Sequence, residues 1–422
     1  LDILVGNYIR QPSAFPLHNP EGNRLFRNDG GLRFTDVTEE VGLDRGPHGT
    51  TLVVTFTDFD RDGLQDIVEC NDFGQFVTPN RWLRARREAS GRITYEDVAS
   101  ELGTDLAIYC MTNAKGDFDR DGDLDFYHTN IGRHVLLRND GHRYQDVATE
   151  LMVESTHEAC VPSLKSSGWA AGFRDFDLDG WPDLFATAGF VPAAPGDRNA
   201  QESENKVFHR EGDAFVDVSY ASGVATTQRS RGASFFDFDR DGDVDVLVVN
   251  LNSPPELFRN DSPRRGRWLE LDLIGTVSNP DGLGAKLWVD FGAFEIFEDL
   301  SLQYSYASSV EPRLHFGAGD AAAADVRIVW PSGIEQGLIG LETDALHAVR
   351  EPRLSIDGLT REGSDVLVEF SGPGARGDAE ISVDGATSAV VPTGAQRLPN
   401  VPAGAVILLS DGEGGVDARR AP

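Results

Sequence analysis

The chain has 422 residues, enough for two or three domains, and 40 % of them are hydrophobic, enough for a substantial core. Its 69 acidic residues against 38 basic ones leave a net charge of −31, which argues against anionic membrane surfaces and against nucleic acid, whose binders need a basic footprint. No apolar run approaches the roughly 18 residues of a membrane helix, so no membrane insertion is expected.

The first residues, Leu1-Asp2-Ile3-Leu4-Val5-Gly6-Asn7, open a pattern that recurs to about residue 262. A short β-type stretch ends near Asn, as in Val5-Gly6-Asn7, Cys70-Asn71, Thr129-Asn130 and Val249-Asn250. A second strand follows, as in Leu25-Phe26-Arg27-Asn28, Leu136-Leu137-Arg138-Asn139 and Leu257-Phe258-Arg259-Asn260. A third reads Phe34-Thr35-Asp36-Val37, Tyr95-Glu96-Asp97-Val98, Tyr144-Gln145-Asp146-Val147 or Phe215-Val216-Asp217-Val218. After a Gly turn (Gly42, Gly103, Gly223), a fourth strand such as Gly232-Ala233-Ser234-Phe235-Phe236 leads into the next repeat.

Between these strands lies a nine-residue motif, D-x-D-x-D-G-x-x-D, with copies at 58–66, 117–125, 175–183 and 237–245. Its carboxylates are Asp58, Asp60, Asp62 and Asp66; Asp117, Asp119, Asp121 and Asp125; Asp175, Asp177, Asp179 and Asp183; and Asp237, Asp239, Asp241 and Asp245. Hard oxygen donors packed this closely in a tight turn suit calcium, about four ions in all. The residue at position seven (Leu64, Asp123, Trp181, Asp243) can add its backbone carbonyl, and the Gly at position six permits positive φ. An EF-hand needs Glu at position twelve and flanking helices; position twelve is Glu69, His128, Ala186 or Val248, and the flanks are β-type. The bland alternative, an acidic solvated turn, would suit one copy but not four at a near-constant spacing. These motifs account for about half of the acidic excess. With only four Lys (Lys115, Lys165, Lys206, Lys286), a salt-rich habitat is the other source of such a composition. Asp2-Ile3-Leu4-Val5 aligns on Asp66-Ile67-Val68, so Asp2 takes position nine, and further repeats with any export signal are expected upstream.

Four short strands per roughly 60 residues is the pattern of a propeller blade, which buries both sheet faces only by stacking. Residues 1–262 resemble the FG-GAP/VCBS repeat family, which also forms the heads of integrin alpha chains. The likeness rests on the four acidic loops and on the Asn-Leu-Phe-Arg-Asn and Phe-x-Asp-Val stretches. It implies a β-propeller, usually seven-bladed, with about two blades further upstream.

Near residue 264 the pattern stops at a short basic stretch, Arg264, Arg265, Gly266 and Arg267. Residues 264–350 alternate in a β manner and contain three marked stretches. These are Leu273-Ile274-Gly275 through Asn279-Pro280-Asp281-Gly282-Leu283-Gly284-Ala285, then Leu314-His315-Phe316-Gly317-Ala318-Gly319, then Val329-Trp330-Pro331-Ser332-Gly333. They resemble the ASPIC/UnbV domain, which follows FG-GAP-type repeats in the family of secreted proteins similar to cartilage acidic protein. That resemblance implies an extracellular calcium-binding protein without established catalysis. Residues 353–422 carry strands at Val366–Phe370, Ala379–Val383 and Ala405–Leu409 between Gly/Pro turns, the pattern of a small β-sandwich.

Other candidates carry less. The nine His (18, 48, 128, 134, 142, 157, 209, 315, 347) show no metal-binding spacing, and His315 is expected to hold a turn. No nucleophile elbow or phosphate loop is present, and Gly412-Glu413-Gly414-Gly415 reads as a hairpin turn. Arg376-Gly377-Asp378 is an integrin-recognition tripeptide and Asn260-Asp261-Ser262 a glycosylation sequon, both frequent by chance. Among Trp82, Trp169, Trp181, Trp268, Trp288 and Trp330, most suit core packing; Trp181, at a loop rim, is the candidate for stacking on a ligand. Cys70 and Cys110 fall where neighbouring strands of adjoining blades would meet and can pair, leaving Cys160 free; three small buried side chains is the alternative. The reading is an all-β secreted calcium-binding protein that recognises an extracellular protein or glycan, with no catalytic residues. The alternatives are a calcium-dependent polysaccharide lyase or hydrolase, or a lectin, on the same scaffold.

Overall fold

The computed structural model describes residues 1–8, 20–155, 167–191, 203–353, 355–362, 365–371, 380–383, 386–389, 394–398, 401–411 and 415–421. His18, His157, Cys160, Arg376-Gly377-Asp378 and residues 412–414 lie outside them. Two compact units are distinguished: Leu1–Asp177, Trp181–Pro263 and Ser301–Glu311 form one, and Leu178–Gly180, Arg264–Leu300 and Pro312–Pro422 form the other.

The first unit is a succession of antiparallel sheets in chain order. The first sheet holds β1 (Ile3–Val5), β2 (Arg24–Gly30) and β3 (Arg33–Asp36). A one-turn helix, α1 (Thr38–Val41), leads to β4 (Thr50–Thr57), β5 (Asp66–Asp72), β6 (Arg81–Arg87) and β7 (Ile93–Asp97). A second, α2 (Ala99–Leu102), precedes β8 (Ala114–Gly116), β9 (Asp125–His128), β10 (Val135–Asn139) and β11 (Tyr144–Asp146). The fourth sheet holds β12 (Gly168–Arg174), β13 (Asp183–Ala188), β14 (Lys206–Glu211) and β15 (Ala214–Asp217). The fifth holds β16 (Ser230–Phe236), β17 (Asp245–Asn250) and β18 (Glu256–Phe258).

Each acidic motif joins the first strand of a sheet to the second. Thr57 pairs with Asp66 across β4 and β5, and Phe236 with Asp245 across β16 and β17. The strand that the sequence reads as the fourth of one repeat is therefore bonded into the next sheet.

The Phe-x-Asp-Val stretches have a common local role. Asp36, Asp97, Asp146 and Asp217 each accept the amide two residues on (Thr38, Ala99, Ala148, Ser219) at 3.0–3.1 Å, which turns the chain sharply after the outer strand. In two repeats the turn becomes α1 or α2, closed by Gly42 and Gly103 at φ 77°.

The middle strands have both faces covered: every residue of β5, β9 and β13 is buried. Consecutive sheets meet through aromatics laid on glycines. A Cβ on Gly116 would lie 3.1 Å from the Phe173 ring, and one on Gly172 would lie 2.5 Å from Phe235. The core of the third to fifth sheets includes Phe118, Phe173, Phe185, Phe215 and Phe235.

Cys70 on β5 is bonded to Cys110, with Cα atoms 5.2 Å apart, tying the second sheet to the segment that enters β8. Cys110 lies in that connecting segment and not in a strand, as the sequence had suggested, because β8 begins only at Ala114.

Residues 301–311 join this unit from far along the chain. The Tyr304 carbonyl accepts the Asn113 amide at 2.7 Å, the Ser305 hydroxyl accepts Ala171 N–H at 3.0 Å, and the Ser308 hydroxyl accepts Ala233 N–H at 3.0 Å. The segment thus runs across the entry strands of three consecutive sheets.

The second unit contains two pairs of sheets. β19 (Arg267–Ile274) is the centre of one sheet, antiparallel to β22 (Leu314–Gly319) and parallel to β25 (Ala345–Arg350). The facing sheet orders β21 (Glu295–Asp299), β20 (Lys286–Asp290), β23 (Ala323–Val329) and β24 (Glu335–Glu342). Leu271, Leu287, Phe316, Ile328 and Trp330 fill the core.

Two of the marked stretches of this region meet at Glu351, a fully buried residue. Its carboxylate accepts the amides of Thr276, Val277 and Ser278 at 2.7–2.8 Å and the hydroxyls of Ser278 and Ser332 at 2.7 and 2.6 Å. Those bonds hold the carboxyl below its usual range against the opposing effect of burial, which is the largest single influence. His315 is the second residue of β22, stacked on Trp268 with ring centroids 6.3 Å apart, and not at a turn.

The last two sheets form a small sandwich. One orders β26 (Ser355–Glu362), β27 (Asp365–Ser371) and β30 (Gly394–Leu398). The other orders β29 (Ala386–Ala389), β28 (Glu380–Val383), β31 (Val406–Ser410) and β32 (Val416–Arg420). Ile356, Val366, Val368, Ile381, Ile407 and Leu409 meet in its core. Asp417 joins it to β24, accepting the Gly337 and Ile356 amides, each at 2.6 Å.

Candidate metal centres

Each acidic loop leaves a buried strand, turns through two left-handed residues and re-enters the sheet. Position four has φ of 59°, 58°, 66° and 61° at Arg61, Arg120, Leu178 and Arg240, and the Gly at position six has φ of 93°, 87°, 90° and 95°. Glycine serves the second of these at no steric cost; at position four the loop imposes the conformation on ordinary residues.

The carboxylates divide into two roles. The aspartate at position nine is a staple. One oxygen accepts the amide of position two: Phe59 at 3.2 Å, Phe118 at 3.1 Å, Phe176 at 3.1 Å and Phe238 at 2.9 Å. The other accepts an amide from the third strand, Ala85 at 2.7 Å, Asn139 at 2.8 Å and Arg210 at 2.8 Å, or from just beyond it, Asn260 at 2.7 Å. Asp66, Asp125, Asp183 and Asp245 thereby fix the loop to two strands. Asp2 makes the second of these bonds in the first sheet, where its Oδ1 accepts the Asn28 amide at 2.8 Å.

Positions one and five accept amides of the turn itself. Asp58, Asp117 and Asp237 accept the amides of Gly63, Gly122 and Gly242 at 2.8, 3.1 and 2.8 Å. Asp62, Asp121 and Asp241 accept those of Leu64, Asp123 and Asp243 at 2.8, 2.9 and 3.0 Å. Carboxylate oxygens of Asp58, Asp60 and Asp62 lie within 4.8 Å of one another, as do those of Asp117, Asp119 and Asp125. The tip of the third loop, Leu178–Gly180 with Asp179, groups with the second unit; Asp175, Asp177, Trp181 and Asp183 belong to the first.

This donor set fits a hard divalent cation. Two unit negative charges 4.8 Å apart repel by about 3–4 kcal/mol at an effective dielectric near 20. Asp119 Oδ1 is buried with no hydrogen-bond partner among the described residues. Burial above all, with the neighbouring Asp60, Asp58 and Asp62, pushes Asp66 up to about 8. Burial, then Asp119, raises Asp125 well above the usual carboxylate range, and burial also raises Asp183 and Asp245. A cation among these oxygens would oppose these upward shifts by favouring the charged carboxylates.

The position-seven residues face other partners. Asp123 pairs with Arg61 of the preceding loop at 2.6 Å, which links two loops directly. The Trp181 ring lies 3.2 Å under the Arg120 guanidinium, with Arg210 5.6 Å from the ring. Its face is thus spent on inter-loop packing and not offered to a ligand. Trp82 and Trp330 are core residues, Trp169 carries Arg231 at 3.9 Å, and Trp288 carries Arg327 at 3.6 Å. The sequon residue Asn260 donates its amide nitrogen to Phe176 and Val244 carbonyls at 2.8 and 3.2 Å, so it is held inside the loop framework.

One residue escaped the sequence reading. His209, on β14, places Nδ1 2.8 Å from Asp183 and Nε2 3.7 Å from Asp177, so an imidazole sits among the carboxylates of the third loop. Its signal was positional: the matching residue is Arg84, Arg138 or Arg259 in the other repeats.

Two family models match parts of the chain. Residues 175–248 match the model of the FG-GAP-like repeat, and residues 275–355 that of the ASPIC and UnbV family. The chain is 26 % identical over 319 residues to cartilage acidic protein 1 of Mus musculus, covering 74 % of this chain and 38 % of that protein. It is 25 % identical over 340 residues to the Homo sapiens protein of that name, covering 78 % and 40 %. To the Xenopus tropicalis protein it is 30 % identical over 177 residues, covering 41 % and 26 %. The chain thus spans no more than about two fifths of the curated relatives it matches. Among solved structures, the extracellular domain of a putative one-component system from B. thetaiotaomicron aligns over 96 % of this chain and 64 % of its own, at 10 % identity and a TM-score of 0.23.

Proposed function

We propose that this chain, an array of FG-GAP-like repeats followed by an ASPIC and UnbV segment, is a cation-stabilised recognition module of the extracellular space that binds a protein or glycan and catalyses no reaction. The observation that carries it is the repeated loop itself, in which carboxylates gather within 4.8 Å of one another in the first three loops and the aspartate at position nine staples the turn in all four. Calcium is the ion this oxygen donor set suits. The first, second and fourth loops hold it through Asp58, Asp60, Asp62 and Asp66; Asp117, Asp119, Asp121 and Asp125; and Asp237, Asp239, Asp241 and Asp245, with Asp175, Asp177, Asp179 and Asp183 in the third. The ion stiffens the entry to each sheet and so sets the surface that the connecting loops present. The matched relatives, named for cartilage, support an extracellular role.

The test is a panel of matrix proteins, glycans and polyuronates, incubated with the protein in about 1 mM calcium and again in EGTA. The proposal expects saturable binding of at least one component, lost in EGTA, with no change in any polysaccharide. Release of oligosaccharide products would replace it with a lyase or hydrolase, and binding unaffected by chelation would remove calcium from the recognition surface.

A further inference from the structure

We propose that the third acidic loop takes a divalent transition-metal ion of the zinc class, held by His209 Nε2, Asp177 and Glu211, where the other loops take calcium. The inference rests on reading the acidic loops as cation sites and changes the identity of one ion.

Four observations converge on it. First, the residue before the third-strand staple donor is Arg84, Arg138 or Arg259 in the other motif-bearing repeats. Arg84 pairs with Asp60 at 2.9 Å, and the charges of Arg138 and Arg259 act on Asp119 and Asp239. In the third repeat alone this guanidinium is replaced by an imidazole, which can be a neutral ligand. Second, Asp183 Oδ1 lies 2.8 Å from His209 Nδ1. A carboxylate that takes the Nδ1 proton fixes the tautomer and turns the Nε2 lone pair outward, the arrangement that supports a metal-bound histidine. Third, the atoms in front of Nε2 are carboxylate oxygens, Asp177 Oδ2 at 3.7 Å and Glu211 Oε1 at 4.0 Å. Ligand atoms sharing one zinc ion at about 2.0–2.2 Å stand roughly 3–4 Å apart, a range that both separations from Nε2 meet. Fourth, His209 and Glu211 are two residues apart on β14, which places both side chains on one face of the strand.

The donor set decides the metal class. Calcium takes oxygen almost exclusively, whereas one imidazole with two carboxylates suits zinc and its neighbours and leaves a coordination position for water. Asp183 is then a positioning residue in this loop, holding the imidazole and stapling the turn, while Asp183 and the Arg210 amide keep the geometry that the other loops share.

The experiment is equilibrium dialysis of the whole chain against about 1 mM calcium with micromolar zinc, followed by elemental analysis, and a parallel titration with Co²⁺ read by its visible absorption. The variants are His209→Arg, which reproduces the residue of the other repeats, and Glu211→Gln, at a half-exposed position that leaves the staple intact. One zinc per chain alongside calcium, a cobalt band characteristic of nitrogen and oxygen ligation, and at least a tenfold loss of zinc affinity in both variants support the proposal. Calcium binding without zinc overturns it while leaving the calcium reading in place. Zinc bound equally by both variants places that ion elsewhere and also overturns it. No metal of either kind removes this proposal and the calcium reading together.

Discussion

Asp125→Ala separates the two jobs of the acidic loops. Asp125 is fully buried, and its oxygens accept the Phe118 amide at 3.1 Å and the Asn139 amide at 2.8 Å. Truncation leaves two buried N–H groups without acceptors, at about 1–3 kcal/mol each, so about 2–6 kcal/mol is lost before any ion is considered. Relief of charge repulsion offsets little of this, because burial and Asp119 already favour the neutral carboxyl when no cation is bound. Asp119 staples no strand to the loop, so Asp119→Ala removes an ion ligand and little else. Denaturant unfolding of parent and both variants, in EGTA and in calcium, reads the difference. Asp125→Ala is expected to be destabilised in both buffers. Asp119→Ala is expected to match the parent in EGTA and to lose part of the stabilisation by calcium. An Asp125→Ala variant as stable as the parent in EGTA would refute the staple.

The Cys70–Cys110 bond closes a loop with a sequence separation of 40 residues, so in the chain-entropy picture the double Ser variant should lose about 4 kcal/mol, read as a lower unfolding midpoint for the first unit. His134 is fully buried beside the Tyr127 hydroxyl at 2.8 Å, and burial pulls it down to about 3. The unfolded chain takes a proton near pH 6.5 and the folded one does not, so stability falls as pH drops from about 7 towards 3. The loss is about 2 kcal/mol at pH 5, and His134→Gln should remove that part of the slope in denaturant titrations across this range. Gly172→Ala should cost about 1–3 kcal/mol by forcing its Cβ into Phe235, read as a lower midpoint that the smaller ring-free Phe235→Leu partly restores.

The repeat was legible because chemistry fixed its residues at fixed offsets. Four aspartates and a glycine per loop, with Asn-Leu-Phe-Arg-Asn and Phe-x-Asp-Val between them, prescribe the turn, the strands and the sharp exit. They also made Asp2 readable as a position-nine residue, and the structure gives it the Asn28 bond that its counterparts make. The left-handed conformation at Arg61, Arg120, Leu178 and Arg240 was not readable, since no residue preference marks it; the flanking hydrogen bonds impose it. Nor was the placement of residues 301–311, whose Ser305, Tyr304 and Ser308 hydroxyls accept from Ala171, Arg174 and Ala233, 134, 130 and 75 residues away, and leave no periodic trace. Trp181 and His315 were misjudged for the same reason. What covers an aromatic ring is decided by Arg120 or Trp268, far away in sequence.

The central claim is that cations hold the repeat unit together, and a calorimetric scan with and without EGTA, on samples whose bound metal has been counted, tests it most directly. At about 1 mM calcium, a site with a dissociation constant of about 10⁻⁴ M adds roughly 1.4 kcal/mol. Three calcium sites of this kind add roughly 4 kcal/mol, and an ion in the third loop adds to it, against a whole stability of about 5–15 kcal/mol for a typical domain. About four divalent ions per chain are expected, with a first-unit transition that falls sharply on chelation. The transition of residues after Trp268, which carry no acidic loop, should stay where it is. A first-unit transition unmoved by EGTA, with fewer than two ions bound, would contradict it.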